Sequence, residues 1–187
     1  MKGKGDDPNG TPDIVKDGGK AGVINLAVAV LAVVVLIACC FDGDTPVVMA
    51  DGSTKPLDQI RVGEFVLSLN PVSGKIEPRE VLASSATSYS GPRTSLLFPS
   101  DEQITCTENH PFVVEGGTVL AASKLTRSTK LTATSLRCVL LRTVIQRLKK
   151  PAGTVYNLSV SGFHNYFIGR QAVLVRDMTT PLSSTEY

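Results

Sequence analysis

Turn-forming dipeptides divide the chain between Thr45 and Val175 into short runs rich in Val, Ile, Leu, Thr and Tyr. Such runs, bounded by Gly, Pro, Asn, Asp and Ser, are typical of antiparallel strands. The spacing therefore predicts a closely wound all-β domain. The dipeptides are Asp51-Gly52, Asn70-Pro71, Ser73-Gly74, Gly91-Pro92, Gly116-Gly117 and Ser161-Gly162.

Individual strands and two helical turns follow from the same pattern. We predict helical turns at Pro56–Ile60 and Ala121–Leu125, neither long enough for a full helix. The predicted strands are Thr45–Met49, Phe65–Asn70, Ile76–Ala83, Ser95–Phe98, Gln103–Thr107, Phe112–Val114, Leu136–Arg147, Thr154–Val160, Asn165–Ile168 and Ala172–Val175.

An apolar run precedes this domain and contains no charged residue from Ala21 to Cys40. Its length is about the 20 residues that a helix needs to cross a bilayer. Residues 21–39 are therefore predicted to form a single N-terminal transmembrane helix. Lysines are frequent before this run and scarce after it, which places the N-terminus in the cytoplasm and the domain on the other side. The lysines before it are Lys2, Lys4, Lys16 and Lys20.

The flanking segments have other expected structures. Residues 1–20, with glycines and prolines among alternating lysines and aspartates, are predicted to be a disordered tail. Residues 178–187 are predicted to be a flexible C-terminal tail. Two alternatives remain open for residues 21–39, a cleaved secretory signal and a lipoprotein signal in which Cys39 is acylated. A buried core helix fits less well, because the run has no polar face.

The charge balance and the cysteines exclude several classes of function. Basic and acidic residues number 19 and 17, and the resulting net charge of +2 gives no field that would favour nucleic acid. The four cysteines suit neither a disulfide framework nor a zinc site. We therefore expect no cofactor, no metal and no nucleic-acid partner.

Three motifs carry the functional prediction. The first is Cys40-Phe41-Asp42-Gly43-Asp44-Thr45, followed by Asp51-Gly52-Ser53 and by Val62-Gly63-Glu64-Phe65. The second is Thr107-Glu108-Asn109-His110-Pro111-Phe112, and the third runs from Val155-Tyr156-Asn157-Leu158 to His164-Asn165-Tyr166-Phe167. In this order they resemble the Hint family, which comprises inteins, bacterial intein-like domains and hedgehog autoprocessing domains. The resemblance covers residues 40–177 and implies a compact Hint-type β fold.

The resemblance also implies a chemistry for named residues. The Cys40 thiolate would attack the carbonyl of Cys39, converting the peptide bond into a thioester by an N-to-S acyl shift. His110, with a pKa that can lie near neutrality, would protonate the leaving nitrogen. The Thr107 hydroxyl or backbone amides would hold the scissile amide and the developing oxyanion. Asp42 is expected to serve in a turn.

The C-terminal end departs from a splicing intein, which closes with His-Asn and then Cys, Ser or Thr. Here Arg176, Asp177 and Met178 stand in those places, and Asn157 replaces an aspartate that helps to couple the two cleavages in many inteins. Complete splicing is therefore not expected. Asp177, helped by His164, is a candidate for slow C-terminal cleavage, and the alternative is a polar residue at a strand end.

The predicted function is therefore self-cleavage before Cys40. The substrate is the domain's own N-terminal segment, the membrane is a partner through residues 21–39, and water or a small thiol or amine accepts the acyl group. Sterol transfer of the hedgehog type is poorly supported, because residues 81–100 contain no acidic residue. A catalytically silent, membrane-anchored interaction module and a truncated gene fragment are the alternatives.

Overall fold

The computed structural model describes residues 39–134 and 138–177. Within them the chain forms β-strands and three-residue 3-10 helices. None of the helices in these residues is long and apolar enough to cross a membrane. The predictions for residues 1–20, 21–38 and 178–187, including all but the last residue of the proposed transmembrane helix, lie outside the described residues.

The strands are short, apart from β5. They are β1 (Phe41–Asp42), β2 (Pro46–Val48), β3 (Thr54–Pro56), β4 (Phe65–Leu69), β5 (Ile76–Tyr89), β6 (Arg93–Leu97), β7 (Gln103–Thr107), β8 (Pro111–Val113), β9 (Val119–Ala121), β10 (Lys130–Thr132), β11 (Cys138–Leu140), β12 (Thr143–Leu148), β13 (Gly153–Val160), β14 (Asn165–Ile168) and β15 (Val173–Arg176). The 3-10 helices are Leu57–Gln59, Glu115–Gly117 and Ala122–Lys124.

Two large antiparallel sheets and one small sheet contain these strands. The seven-stranded sheet has the order β12-β6-β7-β1-β13-β5-β4, and the six-stranded sheet has the order β3-β2-β14-β15-β8-β9. Strands β10 and β11 form the small sheet. The short strand β1 therefore lies between β7 and β13, inside the larger sheet. Large apolar side chains, including Phe41, Phe98, Phe112 and Ile168, are fully buried in one core cluster.

The all-β prediction is confirmed, and so are helical turns within both predicted segments. Two strand predictions need correction. Strand β5 continues to Tyr89, because it pairs with the whole of β13. The predicted strand Leu136–Arg147 is divided, because β11 pairs with β10 whereas β12 pairs with β6. Strands β1, β3, β9 and β10 were not predicted, since two or three residues are too few to show alternation.

A glycine is needed where the chain turns away from β1. Thr45 N–H donates to the Asp42 carbonyl over 3.1 Å, and Asp58 N–H donates to the Gly43 carbonyl over 3.0 Å. A Cβ on Gly43 would lie 2.7 Å from a Tyr156 ring carbon and 2.9 Å from Asp58 Cβ. Close packing thus explains the glycine of the Cys-Phe-Asp-Gly-Asp-Thr motif.

We expect Gly43→Ala to lower the free energy of unfolding by about 1–3 kcal/mol, the usual penalty for overfilling a packed site. Urea denaturation measures the change. Gly153→Ala is the matched control, because the nearest atom to its added Cβ lies 3.8 Å away, at Arg93. Equal effects of the two substitutions would contradict the steric explanation.

Candidate active site

Cys40 lies directly before β1, and its backbone is bonded to Thr107 on β7. Thr107 N–H donates to the Cys40 carbonyl over 2.8 Å. The amide N–H of Cys40 donates to the Thr107 hydroxyl over 3.0 Å. This amide belongs to the Cys39–Cys40 peptide bond, so the structure brings together the predicted scissile nitrogen and the predicted threonine.

The three-residue spacing between Thr107 and His110 is that of a closed turn. His110 N–H donates to the Thr107 carbonyl over 3.1 Å. The Thr107 carbonyl thus accepts a hydrogen bond within the turn, whereas the Thr107 hydroxyl accepts one from Cys40 N–H. The 3-10 helix Ala122–Lys124 supports the turn, because Ala122 N–H and Ser123 N–H donate to the carbonyls of His110 and Glu108, both over 2.8 Å.

His110 is fully buried among aromatic rings. Its ring centroid lies 4.0 Å from that of Phe41 and 5.7 Å from that of Phe112. Among the described residues, neither ring nitrogen has a hydrogen-bond partner. Burial lowers the pKa of His110 to about 3, and the Cys39 backbone, which lies near the ring but outside hydrogen-bonding geometry, acts in the opposite direction. The expectation of a pKa near neutrality was therefore wrong, and the imidazole is neutral at pH 7.

The two adjacent thiols are also buried. Cys39 Sγ donates to the Asn109 carbonyl over 3.3 Å, next to His110. Burial raises the pKa of Cys40 to about 11 and that of Cys39 to about 12. Both side chains are therefore thiols rather than thiolates at pH 7, and Cys40 needs a proton acceptor to become a nucleophile.

We expect alkylation to distinguish Cys40 from the exposed Cys138. Iodoacetamide should modify Cys138 first, and the modification rate of Cys40 should still rise between pH 9 and pH 10, because its pKa is about 11. Peptide mass spectrometry at a series of pH values measures both rates in one sample. A rate for Cys40 that levels off by pH 8 would contradict the burial of its thiol.

His164 and Asp177 lie together at the C-terminal end of the domain. Asp177 is buried, and its carboxylate accepts a hydrogen bond from Val160 N–H over 2.6 Å. His164 Nδ1 lies 3.4 Å from the same carboxylate. Asp177 N–H donates to the His164 carbonyl over 3.0 Å. These contacts hold His164 in a left-handed conformation, with φ of 50°.

Tyr166, on β14, was given no role in the sequence analysis. Its fully buried hydroxyl donates to Asn157 Oδ1 over 3.2 Å. Burial raises the pKa of Tyr166 well above its ordinary range, and the negative charge of Asp177 acts in the same direction. The signal for Tyr166 in the sequence was its place in the third motif, directly after Asn165.

Asn165, near the site, has a structural role. Asn165 bridges the two large sheets, because its carboxamide bonds Leu69 N–H over 2.8 Å and the Leu69 carbonyl over 2.9 Å. Within residues 39–134 and 138–177, no three His, Cys, Asp or Glu side chains are grouped to hold a metal ion.

The sequence profile of pretoxin HINT domains matches residues 47–177, which is most of the chain. The chain belongs to the pretoxin HINT domain family. The match includes four of the predicted site residues of this HINT domain, namely Thr107, His110, His164 and Asp177. Cys40 lies before the matched residues.

Solved structures show the same fold. A bacterial intein-like domain from Clostridium thermocellum is 25% identical, covers 74% of this chain and 98% of its own, and has a TM-score of 0.68. A DnaB intein from Synechocystis sp. is 18% identical, covers 74% of this chain and 97% of its own, and has a TM-score of 0.59. The HINT domain therefore has the Hint fold implied by its three motifs.

One curated protein is similar over part of the chain. The DNA-directed RNA polymerase III subunit rpc2 of Dictyostelium discoideum is 23% identical over 95 residues. The similarity spans 49% of this chain and only 6% of that subunit.

Proposed function

We propose that this HINT domain cleaves its own chain by an N-to-S acyl shift at the Cys39–Cys40 bond. The observation that carries the proposal is the hydrogen bond from the Cys40 amide to the Thr107 hydroxyl, 3.0 Å long. It holds the nitrogen that must become the leaving group. The same Thr107 closes the turn that presents His110 beside the backbone of Cys39.

His110 is neutral at pH 7 and can therefore accept a proton; its pKa of about 3 makes it a weak base but a strong acid once it is protonated. Cys40 Sγ attacks the Cys39 carbonyl carbon while the thiol proton passes to the imidazole. The carbon–nitrogen bond then breaks, and the imidazolium returns the proton to the Cys40 nitrogen. The products are a Cys39 thioester on Cys40 Sγ and a free α-amine, and no external reactant is consumed.

An external acceptor then removes the acyl group from Cys40. Water, a small thiol or a small amine attacks the thioester carbon and releases the upstream segment, while the Cys40 thiol is regenerated. With residues 21–39 as a membrane anchor and the N-terminus in the cytoplasm, this step detaches the HINT domain on the other side.

The test follows the size of a chain tagged at both ends, with and without dithiothreitol. Under native conditions the proposal predicts a thiol-dependent fragment that begins at Cys40, identified by N-terminal mass spectrometry. The proposal is contradicted if the chain stays intact after prolonged incubation with thiol while circular dichroism shows that it is folded. That result would favour a catalytically silent interaction module.

C-terminal cleavage is a second candidate, because His164 and Asp177 are held within 3.4 Å of each other. In such a step the Asp177 carboxylate attacks its own backbone carbonyl, an anhydride forms, and the amine of Met178 leaves with a proton. Carboxylates do this poorly, and Val160 N–H already holds this one over 2.6 Å. This reaction is therefore expected to be slow.

Asp177→Asn should accelerate release of a tag placed after residue 187 by about tenfold or more, equivalent to at least ~1.4 kcal/mol of barrier. A side-chain amide nitrogen closes a succinimide more readily than a carboxylate closes an anhydride. Gel electrophoresis at pH 7 measures the released tag. Adding His164→Ala should slow the release, and unchanged release by Asp177→Asn would rule out residue 177 as the site of this reaction.

A further inference from the structure

We infer that the largely buried ion pair between Arg93 and Asp42 positions the Cys39–Cys40 peptide bond, with Arg93 as the positioning residue. Its effect on cleavage rests on the proposed function. The arrangement of the backbone around residue 40 can be tested without any cleavage.

Strand β1 is short, so few backbone hydrogen bonds hold it. It contains only Phe41 and Asp42. On one side, Phe41 pairs with Cys106, and on the other, Phe41 and Asp42 pair with Tyr156 and Val155. Cys40 lies just before this ladder. Strand ends fray readily, so a further contact besides the 2.8 Å bond from Thr107 N–H to the Cys40 carbonyl helps to keep Cys40 N–H on the Thr107 hydroxyl.

Arg93 supplies that contact from two strands away. It starts β6, where it lies opposite Thr107 in the ladder with β7. Its guanidinium reaches over β7 to β1, and Nη1 donates to Asp42 Oδ1 over 3.2 Å. One side chain thus ties the strand that follows Cys40 to the position next to Thr107. This tie adds to the two direct hydrogen bonds between Cys40 and Thr107, which are 3.0 Å and 2.8 Å long.

Burial makes this ion pair sensitive to substitution. The side chains of Arg93 and Asp42 are only 5% and 17% exposed. Arg93 Nη2 lies 3.4 Å from the Tyr89 carbonyl, and the buried Nε has no partner among the described residues. Lys150 binds the other oxygen of Asp42 from the surface. Removing the guanidinium therefore removes a buried crosslink from Asp42. The cation that then remains beside Asp42 is Lys150, which is solvent-exposed.

The matched control is the ion pair between Arg142 and Asp101. Its side chains are 54% and 75% exposed. Exposed pairs contribute little to structure, because water and salt screen them. Arg93→Met and Arg142→Met therefore remove the same group from a buried and an exposed site.

The first measurement is amide hydrogen exchange in the folded chain that carries Cys40→Ala, which cannot cleave at this bond. Arg93→Met should accelerate exchange of the residue-40 amide about tenfold or more relative to the amides of Phe112 and Phe167, and Arg142→Met should not. Arg93→Lys should restore part of the protection. Uniform acceleration of all three amides, or no acceleration at residue 40, would overturn the inference.

The second measurement is thiol-dependent cleavage with Cys40 intact. Arg93→Met should lower the rate constant about tenfold or more, whereas Arg142→Met should leave it unchanged. If exchange accelerates but the cleavage rate stays the same, positioning by Arg93 does not serve the reaction and the inference fails. If the unsubstituted chain does not cleave, the proposed function fails, and the exchange result alone decides whether Arg93 positions residue 40.

Discussion

Cys40→Ala is expected to eliminate the thiol-dependent fragment entirely, because the Cys40 thiol is the proposed nucleophile and lies on the residue whose amide donates to the Thr107 hydroxyl. Alanine retains the backbone N–H that donates to Thr107 over 3.0 Å, so the local structure should persist. The substitution removes only the nucleophile. Quantitative mass spectrometry of the chain with and without dithiothreitol measures the loss.

Cys138→Ala is the control, because its thiol is exposed and lies outside the site. This variant should cleave at the rate of the unsubstituted chain. Persistent formation of the same fragment in Cys40→Ala would show that another group, or a contaminating protease, cuts the chain.

His110→Leu is expected to slow cleavage before Cys40 about 100-fold to 10,000-fold, the usual range for loss of a general acid–base group. Leucine fills part of the apolar space beside Phe41 and Phe112 but cannot carry a proton. The rate constant in dithiothreitol at pH 7 and pH 8 measures the change. Cleavage at the original rate would assign the proton transfer to a different group.

The same variant gives an independent readout of stability. Burial lowers the pKa of His110 from 6.5 to about 3, so the folded state disfavours the protonated ring. The contribution of the neutral ring to the free energy of unfolding is complete above about pH 6.5. As the pH falls from there towards 3, that free energy decreases by about 1.4 kcal/mol per pH unit. His110→Leu should lack this contribution to acid unfolding. Parallel acid titrations of the two proteins would contradict the low pKa.

Local patterns predicted much of the fold. The strands that end at Thr107 and that run from Asn165 to Ile168 were found from β-branched and aromatic residues between turns. Short strands such as β1 were missed, because their position depends on long-range pairing with β7 and β13 rather than on local sequence.

The site was predictable where a motif fixes local geometry. The spacing of Thr107 and His110 is that of one turn, and the pairing of Asp177 with His164 follows from the strands that they flank. Arg93 and Tyr166 were not predicted, because their roles arise from contacts across strands that are distant in sequence. The pKa of His110 was also misjudged, since the enclosing rings of Phe41 and Phe112 come from two different strands.

The interior place of β1 affects the direction of the proposed reaction. Once the bond before Cys40 opens, the new α-amine begins a strand that is still hydrogen-bonded between β7 and β13. That amine and the thioester sulfur both belong to Cys40 and are joined through its Cα and Cβ, so they cannot separate. The fixed strand holds the amine where it can attack the thioester carbon and restore the peptide bond. The acyl shift is then a reversible isomerisation, and the supply of an outside acceptor determines whether the chain stays whole or separates.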